Sequence, residues 1–86
     1  MALFEVTWRT SAERGLRKLP RDVLVRIIAL AEALALDQRP QGAVKLAGTE
    51  NTWRIRSGDY RLVYSISGST LTVEVVKVAH RREVYR

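Results

Sequence analysis

Residues 3–9 alternate, with Phe4, Val6 and Trp8 set against Glu5, Thr7 and Arg9, and a period of two is that of a strand. The period changes after Arg9. Ala12, Leu16 and Leu19 mark the apolar side of a first helix predicted over residues 11–18, with Arg14, Arg17 and Lys18 toward solvent. Thr10 and Glu13 have the spacing of a capping box at its start. Pro20 ends this pattern, because proline is tolerated at the beginning of a helix and not inside one. A second helix is predicted over residues 21–36, where Val23, Ile27, Leu30 and Leu34 recur at three- and four-residue spacing. Leu24, Ala31 and Ala35 widen that stripe. So short a joint predicts a helical hairpin laid across one face of a sheet. Pro40 and Gly42 then mark a loop, which is expected to continue through residues 43–51 with Leu46 tucked onto the core.

Alternation returns at Trp53. Trp53 and Ile55 point one way and Arg54 and Arg56 the other. Ser57, Gly58 and Asp59 are turn formers, and glycine takes a positive φ at little cost. The next strand sets Tyr60, Leu62, Tyr64 and Ile66 against Arg61, Val63 and Ser65. Trp8, Trp53, Tyr60 and Tyr64 therefore have core parity, which favours burial over a nucleobase-stacking platform. After a turn at Ser67-Gly68-Ser69, residues 70–78 form the last strand, with Leu71, Val73 and Val75 on one face and Thr72, Glu74, Val76 and Val78 on the other. Valines on both faces predict a central position. The expected fold is α/β in the α+β sense, ordered β-α-α-β-β-β. A small, curved, mainly antiparallel sheet has the first strand beside the last, helices on one face, and a basic open face. Residues 1–86 make one domain.

Charge sharpens this picture. The chain carries 15 Lys and Arg against 9 Asp and Glu, a formal net charge of +6. Nucleic acid or an acidic protein is the partner class this favours. The chain has no cysteine and one histidine, so disulfides, thiolate chemistry and a bound metal are not expected, nor is a cofactor. No stretch has the length of a membrane span and the start is not that of a secretory signal, so the expected location is the cytoplasm, with no membrane partner. Arg54, Arg56 and Arg61 share one side of the hairpin if the register brings the faces together. Like charges so placed cost stability, which a polyanionic ligand would offset; a merely solvated face is the alternative. The chain closes on Val78-Ala79-His80-Arg81-Arg82-Glu83-Val84-Tyr85-Arg86. By strand parity His80 is expected on the side of Val76 and Val78, together with some of the sheet arginines.

The segment Trp53-Arg54-Ile55-Arg56-Ser57-Gly58-Asp59-Tyr60-Arg61-Leu62-Val63-Tyr64 and the ending Val78-Ala79-His80-Arg81-Arg82-Glu83-Val84-Tyr85 resemble the RelE/ParE superfamily of bacterial toxins. The early strand, the helix pair and the leucine–proline joint agree with it, so the likeness covers essentially the whole chain and leans to the RelE branch. The resemblance implies a RelE-like fold and a ribosome-dependent endoribonuclease (an mRNA interferase) that cleaves messenger RNA in the A site and inhibits translation. It implies as partners a cognate antitoxin, RelB-like or of another class and encoded adjacently, and the 70S ribosome with its message. Operator DNA would be met only indirectly, through the antitoxin. The family roles fall on Arg54 and Arg56, Arg61, Arg81 and Tyr85. His80 stands before Arg81 where the best-known member has a lysine, and the segment before Tyr85 is shorter. Two other readings of the same fold are a ParE-like inhibitor of DNA gyrase that acts by binding, and a non-toxic relative that only binds an antitoxin.

RNA can be cut without metal by its own 2′-hydroxyl. The reaction needs proton removal from that hydroxyl, stabilisation of the phosphorane and protonation of the departing 5′-oxygen. Arg61, strand-mounted and central, suits the phosphorane, since a planar guanidinium matches phosphate oxygens. Arg54, Arg56 and Arg82 suit neighbouring phosphates, and Arg81 the departing oxygen. His80 is the one side chain whose ordinary pKa lies near neutrality. Tyr85 can stack on a base or exchange a proton. Glu83 is the remaining candidate base, and the residues alone leave the choice among these three open.

Overall fold

The computed structural model describes residues 3–82. Five strands and two helices follow in the order β1 (Glu5–Trp8), α1 (Thr10–Arg17), α2 (Arg21–Ala33), β2 (Val44–Lys45), β3 (Thr52–Ser57), β4 (Tyr60–Ser67) and β5 (Thr72–His80). They build one mixed sheet in the order β1-β5-β4-β3-β2. β1 runs parallel to β5, and every other neighbour is antiparallel. The expected α+β architecture is present, with the first strand beside the last. It has one strand more than expected, because Val44 and Lys45 pair with Arg54 and Trp53 across the edge of β3. Two residues are too few for an alternating pattern to register in sequence.

Helix starts differ in detail. Arg9, not Thr10, is the N-cap residue of α1, and no side chain caps it. The capping box expected from Thr10 and Glu13 does not form. Ser11 instead donates its hydroxyl to the carbonyl of Val76 at 2.6 Å, which fastens α1 to β5. Pro20 is the N-cap of α2, and its carbonyl accepts the Leu24 N–H at 2.9 Å. The second helix stops at Ala33, three residues short of expectation. Gln38 folds back to donate from Nε2 to the carbonyls of Leu34 and Ala35 at 3.0 and 3.1 Å, groups the helix end leaves without partners. β5 begins at Thr72 because Leu71, with φ at 50°, still belongs to the turn.

One side of the sheet carries the core. Ile55, Leu62, Tyr64, Ile66, Val73, Val75 and Val78 meet Ala12 of α1, Val23, Ile27 and Ala31 of α2, and Leu34 just beyond it. Phe4, Val6, Trp8, Trp53 and Tyr60 pack at its margin, as their parity predicts. Tyr64 is fully buried and donates its hydroxyl to the Gln38 carbonyl at 2.8 Å. Burial pushes its pKa up to about 12, with Arg39 acting the other way.

Val78 is on the core side, opposite to its simple parity. Leu62 pairs with Val78 and Val63 with Lys77, yet Tyr64 pairs with Val75. Val76 is left without a partner, a bulge that turns the rest of β5 over by one position. α1 lies close against this region. A Cβ on Gly15 would collide with the Val78 carbonyl oxygen.

These contacts make stability testable at two points. Gly15→Ala, normally a gain of about 0.5–1 kcal/mol inside a helix, is expected to lower the melting temperature because α1 must back away from β5. An unchanged or raised melting temperature would refute that close approach. Tyr64 ionises at about 10 in the unfolded chain and about 12 in the folded one, so stability holds below pH 10 and falls as pH rises from 10 toward 12. Denaturant midpoints taken at about pH 9 and about pH 11 should show that fall in wild type, where a tenfold change in proton affinity is worth about 1.4 kcal/mol. Tyr64→Phe should show less of it.

Candidate functional site

The register of the β3–β4 hairpin decides whether the arginines meet. Ser57 pairs with Tyr60 across a two-residue turn, and of its central residues Gly58 alone has positive φ, at 60°. That is the form expected of a type II′ turn, whose twist suits the flanking strands. The pairs are then Arg56 with Arg61, Ile55 with Leu62, and Arg54 with Val63. Arg54, Arg56 and Arg61 therefore share the face away from the core, and two of them stand directly opposite each other. Side chains so placed have Cβ atoms about 4.5–5.5 Å apart. All three line one cleft of about 600 Å³, bounded also by Leu30, Gln41, Gly42 and Val44. The cleft sits at the β3 edge, where β2 pairs with Trp53 and Arg54 only.

The two arginines nearest the turn are held there. The Arg61 guanidinium reaches back to the carbonyls of Gly58 and Tyr60 at 3.5 and 3.4 Å. Arg81 donates its backbone N–H to the Asp59 carbonyl at 2.7 Å, and its Nε lies 3.8 Å from the Asp59 carboxylate. Arg61 and Arg81, distant in sequence, thus converge on one turn. Asp59 both shapes the turn and tethers Arg81.

His80 is elsewhere. It pairs with Tyr60 on the core side of the sheet, and the two rings meet edge to face with centroids 5.4 Å apart. The expectation that His80 shares a face with the sheet arginines is corrected: the bulge at Val76 moves it to the side of α1. Its Nδ1 accepts the Arg82 N–H at 3.3 Å. The same bulge puts Lys77 beside Val63, on the arginine face. Sequence reasoning missed Lys77, and missed Gln41, Gly42 and Val44 as walls of the cleft. Arg39, also missed, lies over the Trp53 ring at 5.4 Å. Arg82 is exposed. Tyr85 and Glu83 lie outside the described residues. Among the described residues no group of three His, Cys, Asp or Glu side chains is placed to hold a metal ion, and no helix is long and apolar enough to cross a membrane.

Residues 6–85 match the family described as the ParE toxin of the type II toxin–antitoxin system, parDE. The chain belongs to this toxin family. Within the RelE/ParE superfamily the toxin falls on the RelE-like side. It is 34% identical over 85 residues to toxin RelG of Mycobacterium tuberculosis, covering 96% of this chain and 97% of the relative. The toxin–antitoxin complex RelBE2 of the same organism contains a chain that superposes with a TM-score of 0.83 at 30% identity, over 96% of this chain and 97% of that one. A mutant of E. coli toxin RelE in its free state gives 0.80 at 26% identity, over 99% and 90%.

The juxtaposition of Arg56 and Arg61 has a measurable cost. Arg56→Gln, which keeps most of the side chain and removes the charge, is expected to stabilise the toxin at low ionic strength by up to about 1 kcal/mol. The gain should shrink in high salt, which screens the exposed pair. Thermal melts of both proteins across a salt series check this. Destabilisation at low salt would show that the pair is not repulsive.

Proposed function

We propose that this toxin is a ribosome-dependent, metal-independent endoribonuclease that cuts messenger RNA in the A site. The observation that carries the proposal is the gathering of Arg54, Arg56 and Arg61 in one cleft, with Arg81 on the same hairpin turn. In this reading the 2′-hydroxyl of the message is the nucleophile. Arg61 stabilises the phosphorane, and Arg54, Arg56 and Arg82 hold adjoining phosphates. Arg81 faces the departing 5′-oxygen. Tyr85 is assigned the proton exchange, since His80 stands on the other side of the sheet. The ribosome supplies alignment that so few proton-transfer groups do not supply for free RNA. The working location is the cytoplasm, where ribosomes are. The neutralising partner is a RelB-like antitoxin, a reading supported by the RelBE complexes among the similar structures. An acidic or amphipathic antitoxin segment would be drawn to the basic cleft, and operator DNA would be reached through the antitoxin.

Mapping of 5′ message ends on translating ribosomes should reveal new ends inside A-site codons. Arg61→Ala should keep its fold, being outside the core, and lose about a hundred- to a thousand-fold in single-turnover rate at saturating ribosomes, the usual cost of one positioned charge-stabilising donor. Arg81→Ala should behave alike, whereas Arg54→Ala and Arg56→Ala should weaken binding more than chemistry. Tyr85→Phe should slow the chemical step and His80→Gln should not. Wild-type cleavage by Arg61→Ala would overturn this site.

The second reading is inhibition of DNA gyrase by binding. It is favoured by the placement of His80 on the side of the sheet away from the arginines. A supercoiling assay with purified gyrase separates the two: gyrase inhibited, with no new message ends, selects the binding mechanism.

A further inference from the structure

The sheet has a second basic hollow, on the far side from the arginine cleft. It is a cavity of about 520 Å³ between α1 and the end of β5, with Arg14, Lys18, Tyr60, Lys77 and His80 in its walls. Its volume is that of a small-ligand site, large enough for one nucleotide. β1 pairs with β5 only as far as Val75, so the edge of β5 past the bulge is left to α1. Arg14 and Lys18, four residues apart in sequence, line the cavity together with His80. Among the described residues no carboxylate lines it, and neither Arg14 nor Lys18 forms an ion pair. Cations brought together without an acid between them repel, and an anion in their midst is attracted to each. The wall holds two aromatic rings, Tyr60 and His80, set edge to face, and rings at a basic groove are what a base stacks upon.

We infer that this cavity binds a nucleotide of single-stranded RNA, its phosphate between Arg14 and Lys18 and its base against Tyr60 and His80, independently of the arginine cleft. This rests on the reading of the toxin as RNA-directed. RNA is favoured over an acidic peptide because the hollow offers rings and fixed cations but no apolar stripe, only Leu19, Val78 and Ala79, for a helix to bury. His80 meets the Tyr60 ring edge to face and accepts the Arg82 N–H at Nδ1, while Arg14 and Lys18 of α1 line the same cavity.

The test uses the full chain and a 2′-O-methyl RNA hexanucleotide, which lacks the nucleophile and is not cut. Its affinity is measured as a function of salt, and the His80 ring protons are followed by NMR. The Arg14→Gln/Lys18→Gln double variant is expected to bind the hexamer about tenfold or more weakly, with the salt slope reduced by about 1.4, the value for two contacts on a single strand. Arg61→Ala should leave the His80 response intact. Hexamer binding should move the His80 resonances, and His80→Gln should weaken the binding of the hexamer. Inorganic phosphate alone should shift His80 weakly, and free nucleoside monophosphate less than the hexamer. His80 signals that stay put at saturating hexamer would overturn the inference. So would an acidic peptide that binds this cavity when RNA does not. Binding here with no message cleavage on ribosomes would leave this site standing and bring down the nuclease reading instead.

Discussion

Val76 is the one residue of β5 to which β4 offers no partner between Lys77 and Val75, and the character of both sheet faces hangs on it. Without that bulge Lys77 would point into the core and Val78 away from it. With it, Val73, Val75 and Val78 all reach the core, Lys77 joins the arginine face, and His80 goes to the side of α1. The bulge leaves a carbonyl out of the ladder, and Ser11 satisfies it. Gly15 then lets α1 close over the same stretch. Helix position and strand irregularity are thus one arrangement: an unbulged β5 would have neither the carbonyl that Ser11 seeks nor the surface that Gly15 meets.

The arginine face is held against its own repulsion by the core on the reverse. Ile55 and Leu62, paired one step from Arg56 and Arg61, are 6% and 0% exposed, and burying two such side chains contributes about 1.5–3 kcal/mol each. Facing like charges cost less than that. The fold therefore tolerates the cations with stability in hand. The tight turn at Gly58 fixes the register that makes them neighbours, and a slip of one residue would send the arginines into the core.

Much of this was legible in sequence because the two periods are clean. The helices, the hairpin, its turn and the shared face of Arg54, Arg56 and Arg61 all come from alternation and from Pro20 and Gly58. Three things did not. β2 is two residues long, below the length at which a pattern exists. The capping of α1 depends on a tertiary bond from Ser11 that outcompetes a local one. The placement of His80 depends on the bulge, although a sign of it was present: Val75-Val76-Lys77-Val78 restarts the alternation out of phase. Two adjacent valines followed by a lysine at a core position are the trace of an extra residue. The convergence of Arg81 on Asp59 has no sequence signal, since it rests on where β5 ends.

The parallel pairing of β1 with β5 has a consequence in time. Bonds that close it join residues 65 apart in the chain, such as Arg9 to Glu74. Contacts of such span are slow to form, because the chain gives up the freedom of the whole intervening loop before the contact repays it. While β5 is still unmade, β1 has no neighbour, β4 has lost one of its two, and α1 has nothing to rest on. A nascent chain that stops short of Thr72 holds a hairpin and two helices but no finished sheet. Until β5 is in place, neither the sheet nor the seat of α1 is complete, and the fold closes only with its longest-range contacts.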